Sequence, residues 1–346
     1  MPPMFAIRVY LTCATGHRYD SNNAATPSRL RLPERYSMKL HYFKAPHGNV
    51  GDDLNPWLWN RLAPDLLDGD ASTLFVGIGT LLNDQLPSAR HTVVFGTGAG
   101  YGNRPPTPNA SWSIYCVRGP ITAATLHLPS EMAITDPAAL VGTLGIRPLS
   151  ADRQPAFMPH HVSVSLADWK AICDAIPLRY IDPQWDVDRV IAELRATSLL
   201  ITEAMHGAIL ADALRIPWIP TVCGDQVLAL KWIDWCRSLN LAYRPWPVPL
   251  LWNVESNLGV ATQGSRLIQR AMMRAGLKGS GEAAPMDLQP ALADAVRETL
   301  EGILRNAEPT LSATADFDRA CSRLQEALDR LRGDANSGRF RASFNR

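Results

Sequence analysis

The sequence predicts an α/β protein with mostly parallel sheet, arranged as two halves facing a cleft and followed by a helical extension. Three observations predict it. From Met38 onward, short apolar runs alternate with helix-period segments. Two of those runs, "STLFVGIG" and "HTVVFGTG", are continuous enough for buried strands and end in glycine. The whole alternation then occurs twice, over 38–150 and over 151–250.

In chain order, "KLHYF" reads as the first strand, and "GNVGDDLNPWLWNRLAP" as a glycine-rich turn entering a helix. The two buried strands follow, then "SIYCVRG" as another strand. "GPITAATLHL" is a helix with Pro120 in its first turn. "MAITDPAALV" resembles a strand edge running into a turn. In the second half "AFMPHHVSV" is a strand, "SLADWKAICDAI" a helix that Ser165 could cap, and "RYIDP" a short strand. "DVDRVIAELRAT" has the pattern of an amphipathic helix. "SLLITEA", "HGAILADALR" and "IPWIPTV" complete the set as strand, helix and strand. Two Rossmann-like halves of this kind bind ligands at the carboxyl ends of their strands.

Residues 251–335 form the helical extension. Leu288, Leu292, Val296, Leu300 and Leu304 recur at helical spacing, as do Phe317, Leu324, Leu328 and Leu331. These stripes predict a hairpin or a packed pair of helices acting as a structural cap. Residues 336–346 read as a frayed basic tail, and residues 1–37 as a poorly ordered extension or an upstream mis-assigned start.

At 346 residues, 46% apolar and 19% charged, the chain has the composition of a soluble protein with a sizeable core. A formal charge of +1 supplies no field to gather nucleic acid or an acidic membrane surface. The six cysteines include no C-x-x-C pair, which argues against a zinc knuckle or disulfide framework and fits free thiols in a reducing cytoplasm. No apolar run approaches the roughly 20 residues that span a bilayer.

Four stretches could carry chemistry. In "HGNVGDDLNPWLW", Asn49, Asp52, Asp53 and Asn55 stand at the mouth of a helix start, where backbone N–H groups can hold an anion. Capping suits the two aspartates as well as catalysis does. The glycines of "VGIGTLLN" and "VFGTGAGYG" allow close approach of a ligand, or merely tight turns. Arg118 in "YCVRGPITA" lies at a strand end, where anions bind, though a lone arginine is often just a solvated surface residue. His160 in "FMPHH" and His206 in "TEAMHG" each end a strand of the second half and could act as acid, base or cation. Thr202 and Glu203 arrive on the same strand as His206, and Gly207 opens the next helix. No carboxylate or second histidine stands at helical metal spacing from either histidine, so no metal is expected. Trp57, Trp59, Trp112, Trp232 and Trp235 could stack on a sugar ring or belong to the core.

Together "GNVGDDLN", "FGTGAG", "VRGPITAATL", "ITDPAALV", "FMPHH" and "LLITEAMHGAILADALRIPWI" resemble the polysaccharide pyruvyl transferase family, over about Met38 to Tyr243. The likeness is closest to the branch that adds pyruvate ketals to exopolysaccharide repeat units of the succinoglycan and xanthan type. The resemblance implies two domains of glycosyltransferase B type, phosphoenolpyruvate as donor, no cofactor, and a saccharide acceptor that is often lipid-linked. It implies a cytoplasmic enzyme, with peripheral membrane association arising only through that acceptor. His206 matches the family's essential histidine and Arg118 its strand-end arginine. Many members carry arginine two positions before the histidine, where this chain has Ala204. Lys231, Lys44 and His160 are candidates for the missing charge. On this reading Glu203 or His206 handles protons, while Arg118 and His160 help hold the donor. Two other readings stay open: a nucleotide-sugar glycosyltransferase on the same architecture, and an exopolysaccharide assembly protein with a degenerate site.

Overall fold

Two all-parallel sheets organise the chain. They are seen in a computed structural model that describes residues 38–340 except 68, 70, 102, 103, 150, 225, 226 and 250–289. The expected N-terminal extension, Leu288, the segment 251–289 of the expected helical extension and residues 341–346 of the expected tail lie outside the described residues.

The first sheet has the order β1 (Lys39–His41), β2 (Thr73–Val76), β3 (His91–Phe95), β4 (Trp112–Cys116). β2 and β3 are buried on both faces, as their unbroken apolar and β-branched composition requires. Helix α1 (Val50–Leu62) crosses from β1 to β2 and lays Trp59 edge-on against Phe75 and Phe95, with ring centroids 4.9 and 5.3 Å away. Asn49 caps α1 by accepting from Gly51 N, and Asp53 reaches back to the Asn49 N–H at 3.2 Å. Pro56 lies inside the helix and cannot donate to Asp52 O; the Asn55 side chain donates there instead, at 3.2 Å. α2 (Pro120–Thr125) follows β4, and a 3₁₀ helix (Pro137–Thr143) closes this half.

The second sheet has the order β6 (Arg179–Tyr180), β5 (Gln154–Met158), β7 (Thr197–Thr202), β8 (Trp218–Val222), β9 (Trp246–Pro247). Helices α3 (Trp169–Asp174), α4 (Val187–Arg195), α5 (Met205–Ala213) and α6 (Ala229–Ser238) accompany it. The cap of α3 is Asp168, which accepts from Ala171 N at 3.0 Å; the expected cap Ser165 falls in a preceding 3₁₀ turn. Apart from His206, every α5 side chain is buried, because the helix packs against the 3₁₀ helix, β7, β8 and α1. One apolar cluster joins residues of both sheets, including Phe75, Phe95, Met158, Leu200 and Trp218.

The C-terminal helices divide between the two halves and do not form a capping hairpin. α7 (Pro290–Asn306) sets Val296, Leu300 and Ile303 against Phe157, Trp169 and Ile172. α8 (Thr314–Asn336) returns to the first sheet, packing against β4 and the 3₁₀ helix. Its Phe317, Leu324, Leu328 and Leu331 are all buried, as their spacing predicts. The start of the expected frayed tail is packed too: Phe340 is buried and lies 6.2 Å from the His91 ring. Asp212 pins the segment between these helices. Its carboxylate accepts from Ser312 N at 2.8 Å and Ser312 Oγ at 2.5 Å, and from Trp218 Nε1 at 3.1 Å. Trp59, Trp232 and Trp235 are fully enclosed, so they serve the core and offer no platform to a sugar.

Candidate functional site

The carboxyl ends of both sheets converge, since loops leaving their strands touch one another. Val50 N, after β1, donates to Pro183 O, after β6, at 2.8 Å, and a Cβ on Gly48 would stand 2.6 Å from Gln184 O. His206, in the first turn of α5, lies against Gly51 in the first turn of α1. A Cβ on Gly51 would stand 2.2 Å from His206 Nδ1, so only glycine leaves room for the imidazole. On the other side of the ring, Nε2 lies 3.6 Å from Asp136 Oδ2.

Lys231 and Asp52 complete the group. Lys231 comes from the first turn of α6, is 9% exposed, and donates to Tyr101 OH at 3.1 Å. Asp52 accepts from Asn49 Nδ2 at 2.7 Å. Burial raises its carboxyl to about 6, against the opposing pull of the Asn49 bond and of nearby His206; Asp53 adds to the rise and Lys231 opposes it. His160 is held well below its ordinary range by burial, Lys231 and His161. Burial and Lys231 likewise lower His161 to about 4. Both are neutral near pH 7, so His160 does not supply the missing cation. Lys44 is exposed, with Nζ 5.6 Å from the Tyr42 ring centroid. Lys231 is the cation that lies with Asp52 and Tyr101.

Other expected site residues have structural partners. Arg118 is fully enclosed. It donates to Asp234 Oδ2 at 3.2 Å, Thr80 Oγ1 at 2.7 Å, Gly79 O at 3.3 Å and Ala99 O at 3.4 Å. It therefore holds the glycine-rich strand ends in place and presents no free face to a donor. Asn55, also fully buried, clamps Ile78 by accepting from its N–H at 2.8 Å and donating to its carbonyl at 3.0 Å, so it does not line a cleft. Thr202 Oγ1 donates to Met158 O at the end of the neighbouring β5 or to Ala204 O, and accepts from Ala204 N at 2.9 Å. Gly207 is a packing glycine: a Cβ there would meet Met158 Sδ at 2.6 Å. Asn49 and Asp53 cap α1, leaving Asp52 as the first-turn carboxylate beside His206 and Lys231.

Glu203 is fully buried. Oε2 accepts from His160 N at 2.9 Å and Ser163 Oγ at 2.6 Å, and Oε1 from Cys223 N at 3.0 Å. One carboxylate thus ties the loops after β5 and β8 to the end of β7. Asp136, Asp234, Tyr101 and His161 were not singled out from the sequence. "ITDPAALV" did carry a signal for the first, an aspartate before proline at a helix start.

The carboxyl of Asp52 links this site to folding. Its folded value, about 6, exceeds the ordinary 3.8, so the folded state retains a proton that the unfolded chain releases. This contribution is full below about pH 4 and is lost as pH rises through about 6. Asp52→Asn is expected to flatten that part of the stability profile, measured as urea midpoints between pH 4 and 7. An unaltered slope would refute the assignment.

An α/β protein with ionisable groups gathered at the carboxyl ends of two parallel sheets is the class defined by this fold and site. The chain belongs to the polysaccharide pyruvyl transferase family, in its succinoglycan-type branch. It is 42% identical over 225 residues to the succinoglycan biosynthesis protein ExoV of Rhizobium meliloti (strain 1021), covering 63% of this chain and 70% of that protein. No family model matches the chain.

Proposed function

We propose that the protein moves the pyruvyl group of phosphoenolpyruvate onto two hydroxyls of a saccharide in an exopolysaccharide repeat unit, forming a cyclic ketal. The observation that carries this reading is the site itself. Lys231, a nearly buried cation that donates to the Tyr101 hydroxyl, lies within electrostatic reach of Asp52, which in turn feels His206. Kinship with a succinoglycan biosynthesis protein supplies the substrate class. On this reading the two sheets are two Rossmann-like lobes of glycosyltransferase B type, and their facing carboxyl edges form the cleft. A lipid-linked acceptor would bring the protein to the cytoplasmic face of a membrane. Among the described residues no helix is long and apolar enough to cross one.

The donor carries a carboxylate and a phosphate. Lys231 and the start of α5, where Ala204 provides no side-chain cap, are suited to these charges. Asp52 and His206 handle protons. A proton added to the methylene carbon leaves cationic character at C2, which a sugar hydroxyl attacks while losing its own proton. Phosphate then departs with the C–O bonding pair, and a second hydroxyl closes the ring and gives up its proton. Glu203 positions the loops and takes no part in proton transfer.

Purified protein incubated with phosphoenolpyruvate is expected to release inorganic phosphate only when a saccharide acceptor is present. Mass spectrometry should then show the acceptor heavier by one ketal-linked pyruvate. Release of nucleoside diphosphate from an activated sugar, with no turnover of phosphoenolpyruvate, would overturn the reading.

A further inference from the structure

Two buried polar atoms in the site lack hydrogen-bond partners: Asp136 Oδ2 and His206 Nε2. They stand 3.6 Å apart, and the Asp136 side chain is fully enclosed. The separation exceeds a hydrogen bond by a few tenths of an ångström, which a small ring movement closes. A buried donor or acceptor left unpaired is costly, and each of these atoms has the other within reach.

The aspartate sits in a rigid setting. Its Oδ1 caps the 3₁₀ helix by accepting from Ala138 N at 3.0 Å. The next residue, Pro137, packs onto Gly96, where a Cβ would stand 2.2 Å from Pro137 Cγ and φ is +77°. Gly96 is the first glycine of "FGTGAG", so one purpose of that glycine is to seat the loop that carries Asp136. With Oδ1 committed to the cap, Oδ2 is left for the imidazole. Across the ring Nδ1 lies over Gly51, at the start of α1, and the side chain is 13% exposed. Nε2 belongs to the buried part, so that exposure belongs to the rest of the side chain.

We propose that Asp136 is a positioning residue for His206: it receives the Nε2–H, fixes that tautomer, and leaves Nδ1 to exchange protons on the α1 side of the ring. The aspartate touches no substrate and acts through the histidine. This inference rests on the pyruvyl transferase reading for its catalytic consequence, but the tautomer itself does not depend on that reading.

The test is side-chain nitrogen NMR of the full protein labelled at histidine, with the His206 signals identified by their loss in His206→Gln. The wild type should show the Nε2–H tautomer. Asp136→Asn retains an oxygen for the Ala138 cap and turns an amide donor toward Nε2, so the tautomer should invert to Nδ1–H. In turnover, kcat should fall at least tenfold with KM for phosphoenolpyruvate within about twofold of wild type. An Nδ1–H tautomer in the wild type overturns the proposal without reference to any variant, as does an unchanged tautomer in folded Asp136→Asn. If the tautomers behave as stated but no pyruvate is transferred, the dyad stands and the functional reading fails.

Discussion

His206→Ala is expected to lower pyruvyl transfer about a thousandfold while the protein stays folded. Removing a general acid or base typically costs 10²–10⁴ in rate, and this histidine combines a buried Nε2 with a side chain that remains partly exposed. The fold should tolerate the change, because the imidazole makes no hydrogen bond among the described residues that the backbone depends on. Two measurements check this: phosphate release at saturating phosphoenolpyruvate, and the thermal midpoint of the variant. Activity within tenfold of wild type in a folded variant would remove His206 from the chemistry. Surface polysaccharide from cells carrying only the variant should lack the pyruvate mass.

Asp234→Ala should have the largest effect on stability. Asp234 lies on α6, yet among the described residues its side-chain hydrogen-bond partners all belong to the first half. Oδ1 accepts from Ile121 N at 2.8 Å and Thr122 N at 3.1 Å, capping α2, whose own cap residue Gly119 has no side chain to offer. Oδ2 accepts from Thr122 Oγ1 at 2.6 Å and from Arg118. Truncation leaves the Arg118 guanidinium buried without its counter-charge and uncaps the helix. Breaking one side of a buried ion pair costs about 3–5 kcal/mol. Asp234→Asn keeps the oxygen for the α2 start and should lose distinctly less. Urea titration of the three proteins separates these cases, and a loss below about 1 kcal/mol for the alanine variant would show that the clasp does not hold the halves together.

The alternation of strands and helices was readable because burial on a sheet imposes it on the sequence directly. "TLFV" and "HTVVF" can satisfy their backbone and apolar faces in few other ways. The site was harder, since a polar residue at a strand end looks the same whether it faces the cleft or supports it. Arg118 and Asn55 have the residue types of ligand contacts, and only their full burial and full set of partners reveal them as supports. Glu203 stands only three residues before His206, but it directly follows β7 whereas His206 lies in the first turn of α5, so the two side chains meet different neighbours. Asp234 and Lys231 share one helix and act on different groups across the molecule, a pairing that no local pattern encodes. His160 retains its type but not the charge expected of it, because burial and Lys231 keep it neutral.

The return of α8 to the first sheet also has a consequence for how the protein is made. Phe317, Leu324, Leu328 and Leu331 join the same apolar cluster as Phe75 and Phe95, and Tyr115 OH donates to Asp334 at 2.6 Å. A ribosome adding ~5–20 residues per second delivers α8 at least ~10 s after β4 has emerged. Through that interval the nascent first sheet has an uncovered apolar face, a natural substrate for chaperones. Its packing is completed only after the whole second half has been synthesised.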